Sequence, residues 1–144
     1  MNNLIKSVLS SHAGYGITLL RVVAGLTFAA HGAQKLFAWF GGYGLVGVGQ
    51  WMESIGITPG YQMALLAGSA EFFGGLALVV GLLVRPAALA LVVAMLVAVL
   101  TVHWVNGFFI TENGFEYAMI LGLISAVLLI EGAGKLSLDR RIVG

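Results

Sequence analysis

The chain has 144 residues, 60% of them apolar and only 9% charged; seven basic and six acidic side chains give a net charge of +1. Soluble domains carry about 25% charged residues, so so few charges cannot solvate a globule of this size, and a balance of +1 leaves no basic footprint for nucleic acid. The absence of cysteine excludes disulfide staples, thiolate nucleophiles, iron–sulfur ligation and CxxC redox chemistry.

The composition predicts a single-domain integral membrane protein. Four apolar stretches are long enough for a hydrocarbon core of about 30 Å, which takes about 20 helical residues. They cover about 16–40, 61–84, 86–110 and 115–132. The first run is too long for a signal-peptide core, and no A-x-A-like site follows it. Residues 41–60 form the one long connection, rich in glycine but carrying Leu45, Val46, Val48, Trp51, Met52 and Ile55 at partly helical spacing. This predicts a short amphipathic segment between helices one and two, lying at the interface or capping the bundle. Thr58-Pro59 marks the start of the second helix and Arg85-Pro86 that of the third. The link at 85–86 is so short that helices two and three must be antiparallel neighbours. Asn113-Gly114 is a turn signal before the fourth helix. In lipid, spans of this kind satisfy their own backbone only as helices or closed barrels. The expected fold is therefore all-α, an integral membrane four-helix bundle of antiparallel up-down topology.

Basic residues set the expected orientation. Lys6, Arg85, Lys135, Arg140 and Arg141 flank one side, whereas only Lys35, Glu53, Glu112 and Glu116 flank the other. Both termini and the 85–86 link are thus expected in the cytoplasm. Trp39, Trp51, Trp104, Tyr43, Tyr61 and Tyr117 fall at the outer side, as an aromatic belt would. His31-x-x-Gln34-x-x-Phe37 echoes His103-x-x-Asn106-x-x-Phe109, and Glu71-Phe72 echoes Glu116-Tyr117. The pattern suggests two related hairpins.

Ionisable residues inside spans are costly and face bundle interiors or mark functional sites. Arg21, Phe28 and Lys35 lie at heptad spacing on one face of the first helix. Glu71, flanked by Gly68, Gly74 and Gly75, lies near the middle of the second. His31, Gln34, Lys35, Glu71, His103, Asn106 and Glu116 are expected to converge on the outer half of the bundle, and with Arg21 they form the candidate ligand-binding set. As mere interhelical glue, Arg21 would pair with Glu71 and Lys35 with Glu116. A metal site could use His31, His103, Glu71 and Glu116, but no HExxH or ExxH pair supports it. A bis-histidine haem is geometrically conceivable, yet lysine and glutamate beside it argue against one. A pocket for a small molecule such as a quinone fits better, with imidazoles and carboxylates bonding its oxygens and Trp39, Phe40 and Phe108 as apolar walls. No catalytic residue is specified.

Several motifs carry a family resemblance. They are Arg21-Val22-Val23-Ala24-Gly25, His31-Gly32-Ala33-Gln34-Lys35-Leu36-Phe37, Glu71-Phe72-Phe73-Gly74-Gly75, Gly81-Leu82-Leu83-Val84-Arg85-Pro86, Gly114-Phe115-Glu116-Tyr117 and Ser137-Leu138-Asp139. Together they resemble the DoxX family of small bacterial four-helix inner-membrane proteins, from about Arg21 to Asp139. The resemblance implies a membrane component of an oxidoreductase system. Related eukaryotic membrane proteins look like assembly or cargo factors, so a non-enzymatic scaffold is the alternative, and a small proton-coupled transporter a third reading. A redox role would need a bound quinone, an unseen cofactor or a redox partner subunit. Besides the lipid bilayer, a homodimer fits the small-residue helix faces, although nothing in the sequence selects it.

Overall fold

The computed structural model describes residues 2–144, and all regular structure among them is helical. The elements are α1 (Asn3–Leu9), α2 (Tyr15–Phe37), α3 (Gly44–Ser54), α4 (Gly60–Val80), α5 (Val84–Ala98), α6 (Glu116–Glu131) and α7 (Leu138–Val143). The α5 rod continues through a π-helical turn, Val99–His103, and a 3-10 turn, Trp104–Asn106. Three helices are long and apolar enough to cross a membrane: Tyr15–Phe37, Gly60–Val80 and Val84–Asn106. The fourth stretch is apolar, but at 16 residues α6 covers about 24 Å against a hydrocarbon core of about 30 Å.

The helix limits differ from the expected ones for local reasons. The first helix stops at Phe37 because Ala38 and Phe40 adopt left-handed backbone, with φ of 58° and 54°. The second ends at Val80, before a left-handed Gly81. The third begins at Val84, which puts Pro86 inside its first turn, where a missing N–H costs nothing. The predicted amphipathic segment is α3. It buries Val48, Gly49 and Met52, whereas Val46 and Trp51 are exposed, so both of its sides are apolar.

The backbones of α2 and α4 touch. A methyl group added at Gly32 would lie 2.3 Å from the Phe72 nitrogen, and one at Gly75 would lie 2.4 Å from the Ala29 nitrogen. Gly25 faces the Gly75 carbonyl and Val79 in the same way, and Gly68 faces Leu36. These pairings run in opposite chain directions, so α2 and α4 are antiparallel. Lipid is as apolar as leucine, so association rests on close packing of small residues. Gly74 against Leu91 and Gly122 against Met95 bring α5 to α4 and α6 to α5 in antiparallel sense. Phe28, Leu78, Leu91 and Leu128 fill the core between them.

At the end carrying both termini, exposed helix carbonyls are closed by arginine. Arg21 Nη1 donates to the carbonyls of Leu78 and Val79, three and two residues before Gly81. Arg85 Nη1 donates to those of Leu129 and Ile130, three and two residues before Gly132. A third carbonyl completes each clamp: Leu136 for Arg21 and Ser10 for Arg85, each 3.2 Å away. Each arginine also leaves only its Nε without a partner among the described residues. The two hairpins, α2–α4 and α5–α6, thus share one capping device. The acidic half of the expected repeat does not hold: ten residues before the capping glycine stands Glu71 in α4 but Gly122 in α6.

The C-terminal segment completes this end. Asp139, 1% exposed, accepts the N–H groups of Leu83 and Val84 at 2.7 and 2.9 Å, capping α5, while its own N–H donates to the Gly81 carbonyl.

Gly32→Ala should lower thermal stability in detergent by about 1–3 kcal/mol, the usual cost of overpacking, because backbone rather than a side chain stands in the way. Gly16→Ala, with open space around it, should leave the unfolding temperature unchanged or slightly raised. Thermal unfolding of the two variants side by side measures the difference.

Candidate functional site

Helix α2 ends at the level of Gly68, so α4 continues about two turns beyond it toward the end away from the termini. There α3 packs instead, with Val48 and Met52 on Ala64. Glycines again allow the approach: a methyl at Gly60 would lie 2.1 Å from the Gly49 carbonyl. The Glu53 carboxylate accepts the Gly60 N–H at 3.1 Å and fixes the start of α4. From their short link, α4 and α5 touch at Gly74 and Leu91 and then separate. The gap between them is a cleft of about 780 Å³.

The cleft wall is two facing helical stripes. Met63, Leu66, Ala67, Ala70 and Glu71 line it from α4, and Ala90, Val93, Ala94, Val97 and Ala98 from α5. Trp51 and Met52 of α3 and Tyr117 of α6 add to it. Leu66, Val93 and Val97 are at least half exposed, so the cleft opens sideways between the two helices. The charged pair Lys35 and Glu71 and the imidazoles of His31 and His103 reach this largely apolar space, with Thr101, Asn113 and Tyr117 beside them.

Lys35 Nζ donates to Glu71 Oε2 at 2.5 Å. The carboxylate side chain is 7% exposed and the lysine 25%, so the ammonium is the wetter partner. His31 lies one turn before Lys35, its ring 6.0 Å from that of Tyr117. The π turn carries His103 to the opposite wall, where its Nδ1 lies 2.9 Å from the Asn113 carbonyl. A carbonyl only accepts, so Nδ1 carries the hydrogen, and the Nε2 of the neutral ring is left as an acceptor.

The remaining candidates sit elsewhere. Arg21 belongs to the carbonyl clamp at the termini end, so neither the Arg21–Glu71 nor the Lys35–Glu116 pairing forms; the antiparallel register of α2 and α4 brings Lys35 to Glu71 instead. Glu116 opens α6 and accepts the Ile110 N–H at 3.0 Å. Gln34 donates to the Phe40 carbonyl, and Asn106 donates to those of Val102 and Asn113. All three tie down loops at the far end and lie outside the cleft wall. Trp39, Phe40 and Phe108 do not wall it either. Trp39 packs on Phe37, and Phe108 on Phe115, in aromatic clusters outside it. Their place is taken by Met63 and by Trp51 and Met52, the last two expected in the interfacial segment. The helical spacing of Val48, Met52 and Trp51 was the available signal.

Among the described residues no group of three His, Asp or Glu side chains is placed to hold a metal ion. The arrangement is instead an apolar slot with a charged pair and two imidazoles. It can accept a flat lipophilic molecule, donate to its oxygen atoms from Lys35, and accept from its hydroxyls at His103 Nε2 or Glu71.

The DoxX family model matches residues 16–104. An uncharacterized protein of Haemophilus influenzae is 33% identical, the match covering 98% of this chain and 97% of that one. An uncharacterized membrane protein of Mycobacterium tuberculosis is 33% identical over 88% of this chain and 80% of its own. A Bacillus subtilis protein named "Putative oxidoreductase CatD" is 31% identical over 86% and 84%. No solved structure matches the chain.

Removing one partner of a buried ion pair costs about 3–5 kcal/mol, whereas replacing both by apolar groups is often neutral. Lys35→Met alone should therefore destabilise toward the lower end of that range, its partner being partly hydrated. Adding Glu71→Leu should restore most of the loss. A double-mutant cycle on unfolding in detergent tests this ordering.

Proposed function

The chain belongs to the DoxX family, and from that premise we propose that it is a multi-pass inner-membrane protein whose cleft binds a small redox-active, quinone-like molecule as the membrane component of an oxidoreductase system. In this reading α6 is the fourth crossing helix, completing an up-down bundle. The face opposite the termini is the outer one. Lys6, Arg85, Lys135, Arg140 and Arg141 then lie on the cytoplasmic side, as the positive-inside rule asks.

One observation carries the proposal: the only ion pair among the described residues and two imidazoles face a single apolar cleft that opens sideways. A lipophilic ring enters such a slot from the bilayer, and its oxygens meet the polar groups at the inner wall. Lys35 donates to a carbonyl oxygen, with Glu71 fixing the ammonium. His31 and His103 carry imidazoles, the side chains here with both a donor and an acceptor nitrogen to relay a proton. Converting a quinone to a quinol takes two electrons and two protons. The electrons come from a partner subunit, and this chain supplies the binding slot and the proton-handling side chains. The name of the Bacillus subtilis relative points to the same class of chemistry.

Purified protein should bind an added short-chain quinone, and lipid extracts of the preparation should contain a native one by mass spectrometry. His31→Ala should stay folded yet lose about tenfold or more in affinity, equal to about 1.4 kcal/mol for one hydrogen bond. Thr27→Ala, whose hydroxyl bonds only the Val23 carbonyl of its own helix and which does not line the cleft, should bind normally. A preparation that carries no quinone and binds none would sink the reading.

A further inference from the structure

A second cleft, of about 740 Å³, opens at the end away from the termini. Its wall comes from Gln34, Tyr43, Val48 and the glycine backbone at 41, 42 and 47. Three residues, Lys35, Trp51 and Asn113, line both this cleft and the cleft between α4 and α5. They are the partition between the two spaces. We propose that the second cleft is an aqueous antechamber through which water and its protons reach the Lys35–Glu71 pair, with Lys35 as the gate side chain.

The chemistry of the two walls differs in the sense required. The membrane cleft is lined mainly by alanine, valine, leucine and methionine, with few polar groups among them. The antechamber offers an amide at Gln34, another at Asn113, a phenol at Tyr43 and peptide groups that no side chain covers. Tyr43 is 83% exposed and a methyl added at Gly41 would meet nothing within 4 Å, so the mouth is open. Water held there finds several hydrogen-bond partners, as hydrated cavities need.

Exposure falls along the path, from Tyr43 through Lys35 at 25% to Glu71 at 7%. The carboxylate is thus reached from this side only past the ammonium. The other titratable groups facing the pair are His31 on α2, His103 at the end of α5 and Tyr117 on α6, all on the membrane cleft. Tyr43 stands alone on the antechamber side. The side chain of Glu53 is spent on the Gly60 N–H. A proton bound from the antechamber therefore passes first to the Lys35–Glu71 pair and then to the imidazoles. This rests on the reading of the membrane cleft as a ligand site for its purpose, but not for its test.

The chain has no cysteine, so single-cysteine variants report access without background. Full-length Lys35→Cys and Trp51→Cys in sealed membranes should react with a charged, membrane-impermeant thiosulfonate added at the face opposite the termini. The termini face is identified in the same vesicles by protease cleavage of a C-terminal tag. Reaction should be lost when the reagent is confined to the termini face, and Ala98→Cys, on the membrane cleft alone, should resist it from both faces. Labelling of Lys35→Cys and Trp51→Cys only by a membrane-permeant maleimide, or only from the termini face, overturns the proposal. Trp51→Cys decides the matter if Lys35→Cys does not fold, since Lys35 and Glu71 stay paired in it. No quinone is present in these measurements, so failed labelling and failed ligand binding are separate results.

Discussion

The contact between the backbones of α2 and α4 sets the rest of the molecule. Gly25, Gly32 and Gly75 leave no room for a side chain between the two helices, and this fixes their register to within one residue. With the register fixed, Lys35 stands within reach of Glu71. The end of α2 at Phe37 leaves two turns of α4 uncovered, and α3 settles on them through its own glycine contact at Gly49 and Gly60. The cleft is a by-product of this geometry: α4 is held to α2 and α3 on one side, and α5 can follow it only near the short link. Without the seam, neither the ion pair nor the slot has a defined shape.

In hydrocarbon a polar group must be satisfied within the protein, and five of the thirteen charged side chains are used in that way. Arg21 and Arg85 close the C-terminal carbonyls of α4 and α6, Asp139 holds the first N–H groups of α5, and Glu53 and Glu116 hold loop N–H groups at the far end. Each of these side chains has a backbone partner and so a structural reason to be present. Lys35 and Glu71 satisfy only each other. A charged pair facing an apolar opening is costly as packing, and that cost separates it from the other charged groups of the chain.

Much of this was legible in the sequence. Composition alone predicted helices in a membrane, and apolar run length with Gly and Pro punctuation pointed to helices near α2, α4, α5 and α6, although α5 itself ends at Ala98, twelve residues before the expected 110, where the π turn begins. The assignment of His31, Lys35, Glu71 and His103 to one region rested on helical spacing and depth, which sequence carries. Pairing was not legible. Arg21 and Lys35 sit on the same heptad stripe, and only the interhelical register tells which of them meets Glu71; the glycines that set it gave no offset. Gln34, Asn106 and Glu116 had the right depth, but their side chains turn to loop carbonyls and N–H groups whose positions depend on left-handed residues such as Ala38, Phe40 and Asn113. Trp51 and Tyr117 resembled a belt because aromatic residues near helix ends read the same whether they face lipid or a cavity.

The two arginine clamps bear on how the chain is made. Each grips the second helix of its own hairpin, but the third acceptor comes from elsewhere: Leu136 for the first hairpin and Ser10 for the second. A ribosome working from the N-terminus can deliver α2 and α4 as a pair, yet the guanidinium between them keeps an open donor until residue 136 has emerged. The clamp on the first hairpin is therefore complete only once residue 136 has been made, and Ser10 finds its donor only once α5 has been. The two clamps thus tie each hairpin to a segment outside it, one following α6 and one preceding α2.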